Sequence, residues 1–113
     1  MKILLATDGS DSARSALDFL VRFPFPRASE FRLVTVLQPV LEDAEMSELS
    51  EAHHELFEKA RQSEHDTATR LLDEEAGRLN EAGWTGTTEV RTGNSAEQIV
   101  AAAEAAAADL VVV

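Results

Sequence analysis

The sequence predicts an α/β domain built on one open, doubly wound parallel sheet. Three observations lead to this prediction. Short apolar runs alternate with segments of helical apolar spacing, in the order β-α-β-α-β-α-β. The first run, residues 2–7, lacks polar alternation, which is typical of a strand covered on both faces. The chain has 113 residues and no cysteine, so one hydrophobic core rather than disulfides must stabilise it.

A polar turn separates the first strand from the first helix. The turn occupies residues 8–11, in which Ser10 or Asp11 is placed to cap the helix. The prolines within residues 23–26 end this helix, because proline lacks an N–H donor and disfavours helix in the residue before it. The apolar positions at helical spacing are Ala13, Ala16, Leu17, Leu20 and Val21.

The second strand leads through an acidic loop into a long helix. Residues 32–37 are apolar and β-branched and form the strand, and residues 40–47 form the loop. The helix is predicted over residues 47–82, with Gly83 as the residue after its C-cap. Its apolar stripe consists of Leu49, Ala52, Leu56, Phe57, Ala60, Ala68, Leu71, Leu72, Ala76 and Leu79. The stripe thins between residues 60 and 68, where a break in the helix is compatible with the pattern.

The third strand, residues 85–91, is the most polar, which favours a position at the edge of the sheet. Asn94 is placed to cap the last helix, with Glu97 three residues later as in a capping box. The predicted apolar face of that helix is Ala96, Ile99, Val100, Ala103 and Ala107. The fourth strand, residues 110–113, is a bare valine-rich edge, so we expect further chain or a partner chain to cover it.

The charge balance excludes several classes of partner. Asp and Glu total 21 against 10 Lys and Arg, a formal net charge of -11, and such a field repels nucleic acids and anionic membranes. No apolar run approaches the ~20 residues of a membrane span. The apolar opening of the chain is too short for a secretory signal. We therefore expect a soluble, cytoplasmic protein.

Four segments, in order along the chain, resemble the universal stress protein family. They are ILLATDGS at residues 3–10, LVTVL at 33–37, TGNSAEQI at 92–99 and DLVVV at 109–113. Each segment alone is weakly specific, and their order and spacing together give the resemblance. It implies a parallel sheet with strand order 3-2-1-4-5. The fifth strand would follow Val113, so the resemblance implies that residues 1–113 are one domain, incomplete at its C-terminus.

The resemblance also implies a nucleotide site. Many members of the family bind ATP. Asp8 matches the acidic residue that helps to hold the nucleotide, and Ala6 and Thr7 match its neighbours in the site. Val36 matches the second-strand position whose backbone meets the adenine. From the residues alone, Asp8 fits a turn or helix-cap role equally well.

One motif of the ATP-binding members is missing. Those members carry Gly-x-x-Gly and then Gly-Ser or Gly-Thr after the fourth strand, where backbone amides hold the phosphates. This sequence has no glycine after Gly93. We therefore expect the chain to bind an adenine nucleotide. We do not expect these 113 residues to hold a triphosphate as the ATP-binding members do.

Two other types of site were considered and are not favoured. Asp8 and Asp11 could form the magnesium pair of a phospho-receiver domain, but the third strand ends without an Asp. His54 and Glu58 share a helix face as zinc ligands would, but no third ligand follows at helical spacing. No metal site is predicted.

No catalytic constellation is visible either. Ser10, Ser12 and Ser15 have no histidine base at a strand end, and the Gly-x-Ser-x-Gly elbow is absent. The prediction is thus a non-catalytic module of the stress response that binds an adenine nucleotide such as ATP, as a homodimer or with a tandem domain. The alternatives are a stress module that only dimerises, and an ATP-using enzyme of the adenine nucleotide hydrolase architecture. The single glycine after the first strand argues against the enzyme.

Overall fold

The computed structural model describes residues 1–25, 29–38 and 51–113, without the side chains of residues 51–54. The predicted loop at 40–47, the start of the long helix and the side chain of His54 lie outside the described residues. The elements are β1 (Lys2–Ala6), α1 (Asp11–Arg22), β2 (Glu30–Leu37), α2 (Glu51–Glu81), β3 (Thr85–Thr92), α3 (Ser95–Ala106) and β4 (Leu110–Val112).

The four strands form one parallel sheet in the order β3-β2-β1-β4. This confirms the predicted fold class, the order 3-2-1-4 and the edge position of β3. β2 begins two residues earlier than predicted because Glu30 pairs with Lys2, and its N–H donates to the carbonyl of Met1 at 2.8 Å. β1, at the centre, is flanked by β2 and β4.

Helices pack on both faces of this sheet. α1 and α2 cover one face, where the core cluster is Ile3, Leu5, Leu17, Leu20, Phe31, Leu33, Leu72 and Leu79. α3 covers the other face, where Ala102 packs on Leu4 and Val34. Ile3, Leu4 and Leu5 are all at most 2% exposed, as expected for a strand covered on both faces.

The long helix is continuous, without a break between residues 60 and 68, but its apolar stripe is only half buried. Ala68, Leu72 and Leu79 are buried, whereas Leu56 is 63% exposed. Of the stripe positions in the first half, Leu49 and the side chain of Ala52 lie outside the described residues, Leu56 and Ala60 are exposed and Phe57 is half-buried. At 31 residues α2 is about 46 Å long, well beyond the roughly 26 Å of an eight-residue strand, so only its second half meets the sheet.

The buried face of α3 also differs from the prediction. Ala102 is fully buried with Ile99 and Ala103 beside it, while Val100 is 57% exposed and Ala96 is exposed. Ala107 is not on a helix face at all. It forms the C-cap, in the left-handed conformation with φ 51°. In an alanine-rich helix every face has similar hydropathy, so spacing alone did not identify the buried one.

The predicted caps at Ser10 and Asn94 and the predicted role of Gly83 are confirmed. The Ser10 hydroxyl accepts from the N–H of Ala13 at 3.2 Å, and the Asn94 side chain accepts from the N–H of Glu97 at 3.1 Å. Gly83 follows α2 with φ 94°, a conformation that favours glycine. Beyond α3, Val111 and Val113 are 41% and 84% exposed within the described chain. Their cover by further chain or a partner stays a prediction.

Candidate functional site

A cavity of about 300 Å³ opens at the carboxyl ends of β1 and β2, on the face of the sheet that α3 covers. We call it the β1–β2 cavity. It is lined by Ala6, Thr7, Asp8, Ser10, Ser12, Ala13, Val34, Val36, Ser95, Ile99 and Val113. In open parallel sheets ligands bind outside the carboxyl ends of the strands, at the point where the strand order reverses. Here that point is β1, because β2 lies on one side of it and β4 on the other.

All four residues proposed from the sequence line this cavity. Ala6, Thr7 and Asp8 reach it from the end of β1, and Val36 reaches it from β2. The structure thus brings the four together, and their contact with a ligand stays a prediction. Ser95 and Ile99 of α3 were not proposed as site residues. The sequence did contain a signal for them: the predicted cap at Asn94 follows an edge strand, so it places the first turn of α3 at the carboxyl end of the sheet, where the cavity lies.

Asp8 has the turn role that the sequence left open, and its ligand contact stays a prediction. Its Oδ1 accepts from the N–H of Ser10 at 2.9 Å, which makes it a turn residue. Hydrogen bonds from the hydroxyl and then the N–H of Ser10 lower the pKa of Asp8 below its ordinary value of 3.8. The exposed carboxylate is therefore charged at neutral pH, and a carboxylate can accept from a ligand hydroxyl.

The backbone of Val36 lies past the end of the segment of β2 that pairs with β1, although Val36 still pairs with Arg91 of β3. The carbonyl of Val34 accepts from the N–H of Thr7 at 2.8 Å, so it points toward β1. Main-chain groups of residues two apart in a strand point to the same side, so the N–H and the carbonyl of Val36 also point to the side of β1. The β1–β2 register ends at Ala6 and Val34. Val36 consequently presents a donor and an acceptor at the cavity, a pair suited to the edge of a base.

The other lining residues divide into apolar side chains and hydroxyls. Val34, Val36 and Ile99 belong to the apolar cluster beneath α3. Ser12 and Ser95 bring hydroxyls, and the Ser95 hydroxyl accepts from the side-chain amide of Gln38 at 3.4 Å. Asp8 is the one charged residue of the lining within the described chain. An apolar cleft with a few polar groups is the usual surrounding of a small, flat ligand.

A buried carboxylate lies beneath the cavity. The hydroxyl of Thr7 donates to Oε1 of Glu75 on α2 at 3.0 Å, and the two residues are 5% and 4% exposed. The Oε2 atom of Glu75 is buried without a hydrogen-bond partner among the described residues. Sequence reasoning missed this residue. Glu75 stands between Leu72 and Leu79 on the apolar stripe, and that position was the available signal.

Burial raises the pKa of Glu75 above its ordinary value of 4.5. The negative charge of Asp8 raises it further, while the hydrogen bond from Thr7 and the positive charges of Arg78 and Arg14 lower it. Arg78 also forms an ion pair with Asp18 of α1. The balance favours the neutral carboxyl more than in water, so this group titrates closer to neutral pH than an exposed glutamate.

A second opening, of about 400 Å³, lies on the opposite face of the sheet, between β2 and α2. It is lined by Asp8, Thr35, Val36, Leu37, Gln38, Ser63, Glu64, Thr67, Ala68 and Leu71. It shares Asp8 and Val36 with the β1–β2 cavity. The two openings therefore meet at the pair of residues to which the resemblance assigns the nucleotide.

Among the residues that the structure describes, no group of three or more His, Cys, Asp or Glu side chains is placed to hold a metal ion. In the same part of the chain, no helix combines the length and the apolar character needed to span a bilayer.

Comparison with known proteins gives a family and a set of solved structures. Residues 1–113 match the family model described as the universal stress protein family. No curated protein matches the chain. A protein of the universal stress protein family from Burkholderia pseudomallei is similar in structure, with a TM-score of 0.70 at 22% identity, over 97% of this chain and 77% of that chain.

Two similar structures were solved with adenine nucleotides. One is a universal stress protein in complex with cAMP, with a TM-score of 0.68 at 25% identity, over 100% of this chain and 75% of that chain. The other is a universal stress protein family protein from Arabidopsis thaliana with AMP bound, with a TM-score of 0.70 at 15% identity, over 98% of this chain and 74% of that chain.

Proposed function

The chain belongs to the universal stress protein family, and we propose that it binds adenine nucleotides through their adenosine part, in the β1–β2 cavity. The observation that carries the proposal is the meeting, at one cavity, of Asp8 and the backbone of Val36, which lies beyond the β1–β2 register. The cAMP and AMP complexes of two similar structures support the choice of adenine.

The proposed binding mode follows from the lining. The adenine ring lies on the apolar side chains of Val34 and Ile99, and its edge hydrogen-bonds to the backbone of Val36. The carboxylate of Asp8 accepts from a ribose hydroxyl, with the Ser10 turn holding it in place. The lowered pKa of Asp8 makes it a weak base, which favours a binding role over proton abstraction.

The phosphates contribute little to this binding. Asp8 gives the lining a negative charge, and the chain carries a net charge of -11, so additional phosphate charge is repelled. In metal-free buffer the affinities of adenosine and AMP should therefore be similar to each other, and ATP should bind more weakly.

Isothermal titration calorimetry with adenosine, AMP, ATP and guanosine tests the proposal. We expect adenosine and AMP to bind, ATP to bind more weakly and guanosine to fail, because its base edge presents a different donor and acceptor pattern. Equal binding of adenosine and guanosine would contradict the assignment of Val36. If none of the four binds, the alternative of a stress module without a nucleotide is favoured.

We also propose that the protein acts in the cytoplasm as a non-catalytic module that pairs with a second copy or a tandem domain. Exposed Val100 and Val111 support the pairing, since they flank an apolar groove of about 450 Å³ between α3 and β4. Light scattering measures the pairing directly. A monomer at all concentrations would contradict it.

A further inference from the structure

The long helix α2 holds the turn after β1 at two points. The hydroxyl of Thr7 donates to Glu75 at 3.0 Å. One turn of helix earlier, the side chain of Leu71 packs against Gly9, where an added Cβ would come within 3.2 Å of it. Gly9 has a φ of 77°, so this turn adopts a conformation that needs such support.

We propose that Glu75 is a positioning residue for the ligand-contacting turn: its carboxylate orients the hydroxyl of Thr7, and through it the backbone of Gly9 and the direction of Asp8. The identity of the ligand in this inference rests on the proposed function. The positioning of the turn by Glu75 is independent of that function.

The hydrogen bonds form a chain with a defined direction. Because Thr7 donates its hydroxyl hydrogen to Glu75, the lone pairs of its oxygen remain available. One of them accepts from the N–H of Gly9, at 3.4 Å. The next residue, Ser10, donates its N–H to the carboxylate of Asp8. The charged form of Glu75 thus supports the conformation in which Asp8 faces the cavity.

A proton on Glu75 reverses the first link of this chain. The neutral carboxyl carries an O–H donor, which can donate to the oxygen of Thr7 and compete with Gly9 for it. The charged groups that face Glu75 are Arg14 of α1, Arg78 of α2 itself and Asp8 of the turn. Burial already favours the neutral form, so acidification should loosen the turn before the carboxylate of Asp8 is itself protonated.

Glutamine at position 75 separates positioning from mere packing. Glu75→Gln carries an acceptor oxygen and an N–H donor, as the neutral carboxyl does, and it does not titrate, so it imitates the neutral form over the whole pH range. Thr7→Val keeps the shape of the side chain and removes the link. Glu74→Gln changes a neighbouring exposed carboxylate and is the matched control.

The experiment is calorimetry with adenosine, which has no phosphate to titrate, from about pH 8 down to about pH 5. For the unchanged chain and for Glu74→Gln we expect the affinity to fall about three- to tenfold on acidification, the equivalent of one neutral hydrogen bond. Glu75→Gln should show the lower affinity at every pH, without a change on acidification. Thr7→Val should show the lower affinity throughout.

A second measurement uses neither a ligand nor the Thr7→Val variant, so it does not depend on whether that variant folds. The NMR shift of the Gly9 amide should follow the titration of Glu75 in the unchanged chain and stay constant in Glu75→Gln. If the unchanged chain and Glu75→Gln respond alike to pH in both measurements, the inference is overturned. If adenosine never binds but the Gly9 amide still follows Glu75, the positioning stands and the proposed nucleotide function fails.

Discussion

Thr7 at the end of β1 and Glu75 on α2 are 68 residues apart in the chain, and their side chains meet in a buried hydrogen bond of 3.0 Å. The bond joins the central strand to the long helix directly beneath the β1–β2 cavity. It leaves the second oxygen of Glu75 buried without a partner among the described residues. A buried, half-satisfied carboxylate destabilises a fold, so its presence here is better explained by the turn that it supports.

The first prediction concerns stability and pH. The pKa of Glu75 is raised in the folded chain, so between the ordinary value of 4.5 and the raised value the folded state binds more protons than the unfolded state. The contribution of Glu75 to stability is therefore largest at low pH and is lost as the pH rises through this window. The side chain in Glu75→Gln does not titrate, so the stability of this variant does not fall in the same way as the pH rises. In urea unfolding, we expect the variant to gain stability relative to the unchanged chain as the pH rises from about 4 to 7. A difference that is constant with pH would contradict the raised pKa.

The second prediction concerns Asp8. Asp8→Ala removes the carboxylate that accepts from the ribose, a charge-assisted hydrogen bond worth roughly 1.5–3 kcal/mol. We expect a loss of adenosine affinity of about ten- to hundredfold, measured by calorimetry. Asp8→Asn keeps an oxygen for the N–H of Ser10 and should lose less. Asp11→Ala is the control, because Asp11 is an exposed residue outside the cavity lining. If Asp8→Ala and Asp11→Ala bind equally well, Asp8 is only a turn residue.

The third prediction concerns two glycines with opposite surroundings. A Cβ on Gly86 of β3 would lie 1.9 Å from the carbonyl oxygen of Phe31 on the neighbouring strand, so Gly86→Ala forces the sheet edge apart. We expect a loss of about 3 kcal/mol or more in the free energy of unfolding. Gly77 of α2 has nothing within 4 Å of its added Cβ, so Gly77→Ala should raise stability by about 0.5–1 kcal/mol. Equal effects of the two substitutions would show that the register of β2 and β3 is wrong.

The fourth prediction concerns the start of α3. Asn94→Ala removes the side-chain acceptor for the N–H of Glu97. Loss of such a cap costs about 1 kcal/mol of stability, which thermal unfolding detects. Because Ser95 of the same turn lines the cavity, adenosine affinity should fall as well. Asn80→Ala, at an exposed position of α2, is the control for both measurements. Unchanged stability of Asn94→Ala would contradict the capping role.

The sequence predicted the elements and the sheet because local patterns determine them. The unbroken apolar run around Leu4 requires burial on both faces, and the polar composition of residues 85–91 is compatible only with an edge. The exposure of residues 55–67 of α2, among which only Phe57 is half-buried, was not predictable from their own spacing. It depends on the length of the sheet beneath it, which is a property of the other strands.

The site was predicted in part, for a similar reason. Asp8 and Val36 stand in segments whose resemblance to a family is local, and the structure places both at one cavity. Glu75 was missed because a carboxylate on a charged helix is ordinarily solvated, and its burial arises from packing on Thr7 across the domain. Contacts of this kind appear only when elements far apart in the chain are brought together.

The most direct test of the account is a measurement of where adenine lies. With ¹⁵N-labelled protein and AMP, intermolecular nuclear Overhauser effects report contacts between the base protons and individual amides. We predict an effect from adenine H2 to the amide of Val36, and shifts of the Asp8 and Ser95 amides on titration. Effects confined to the opposite end of the sheet, near Lys2 and Glu30, would contradict the account.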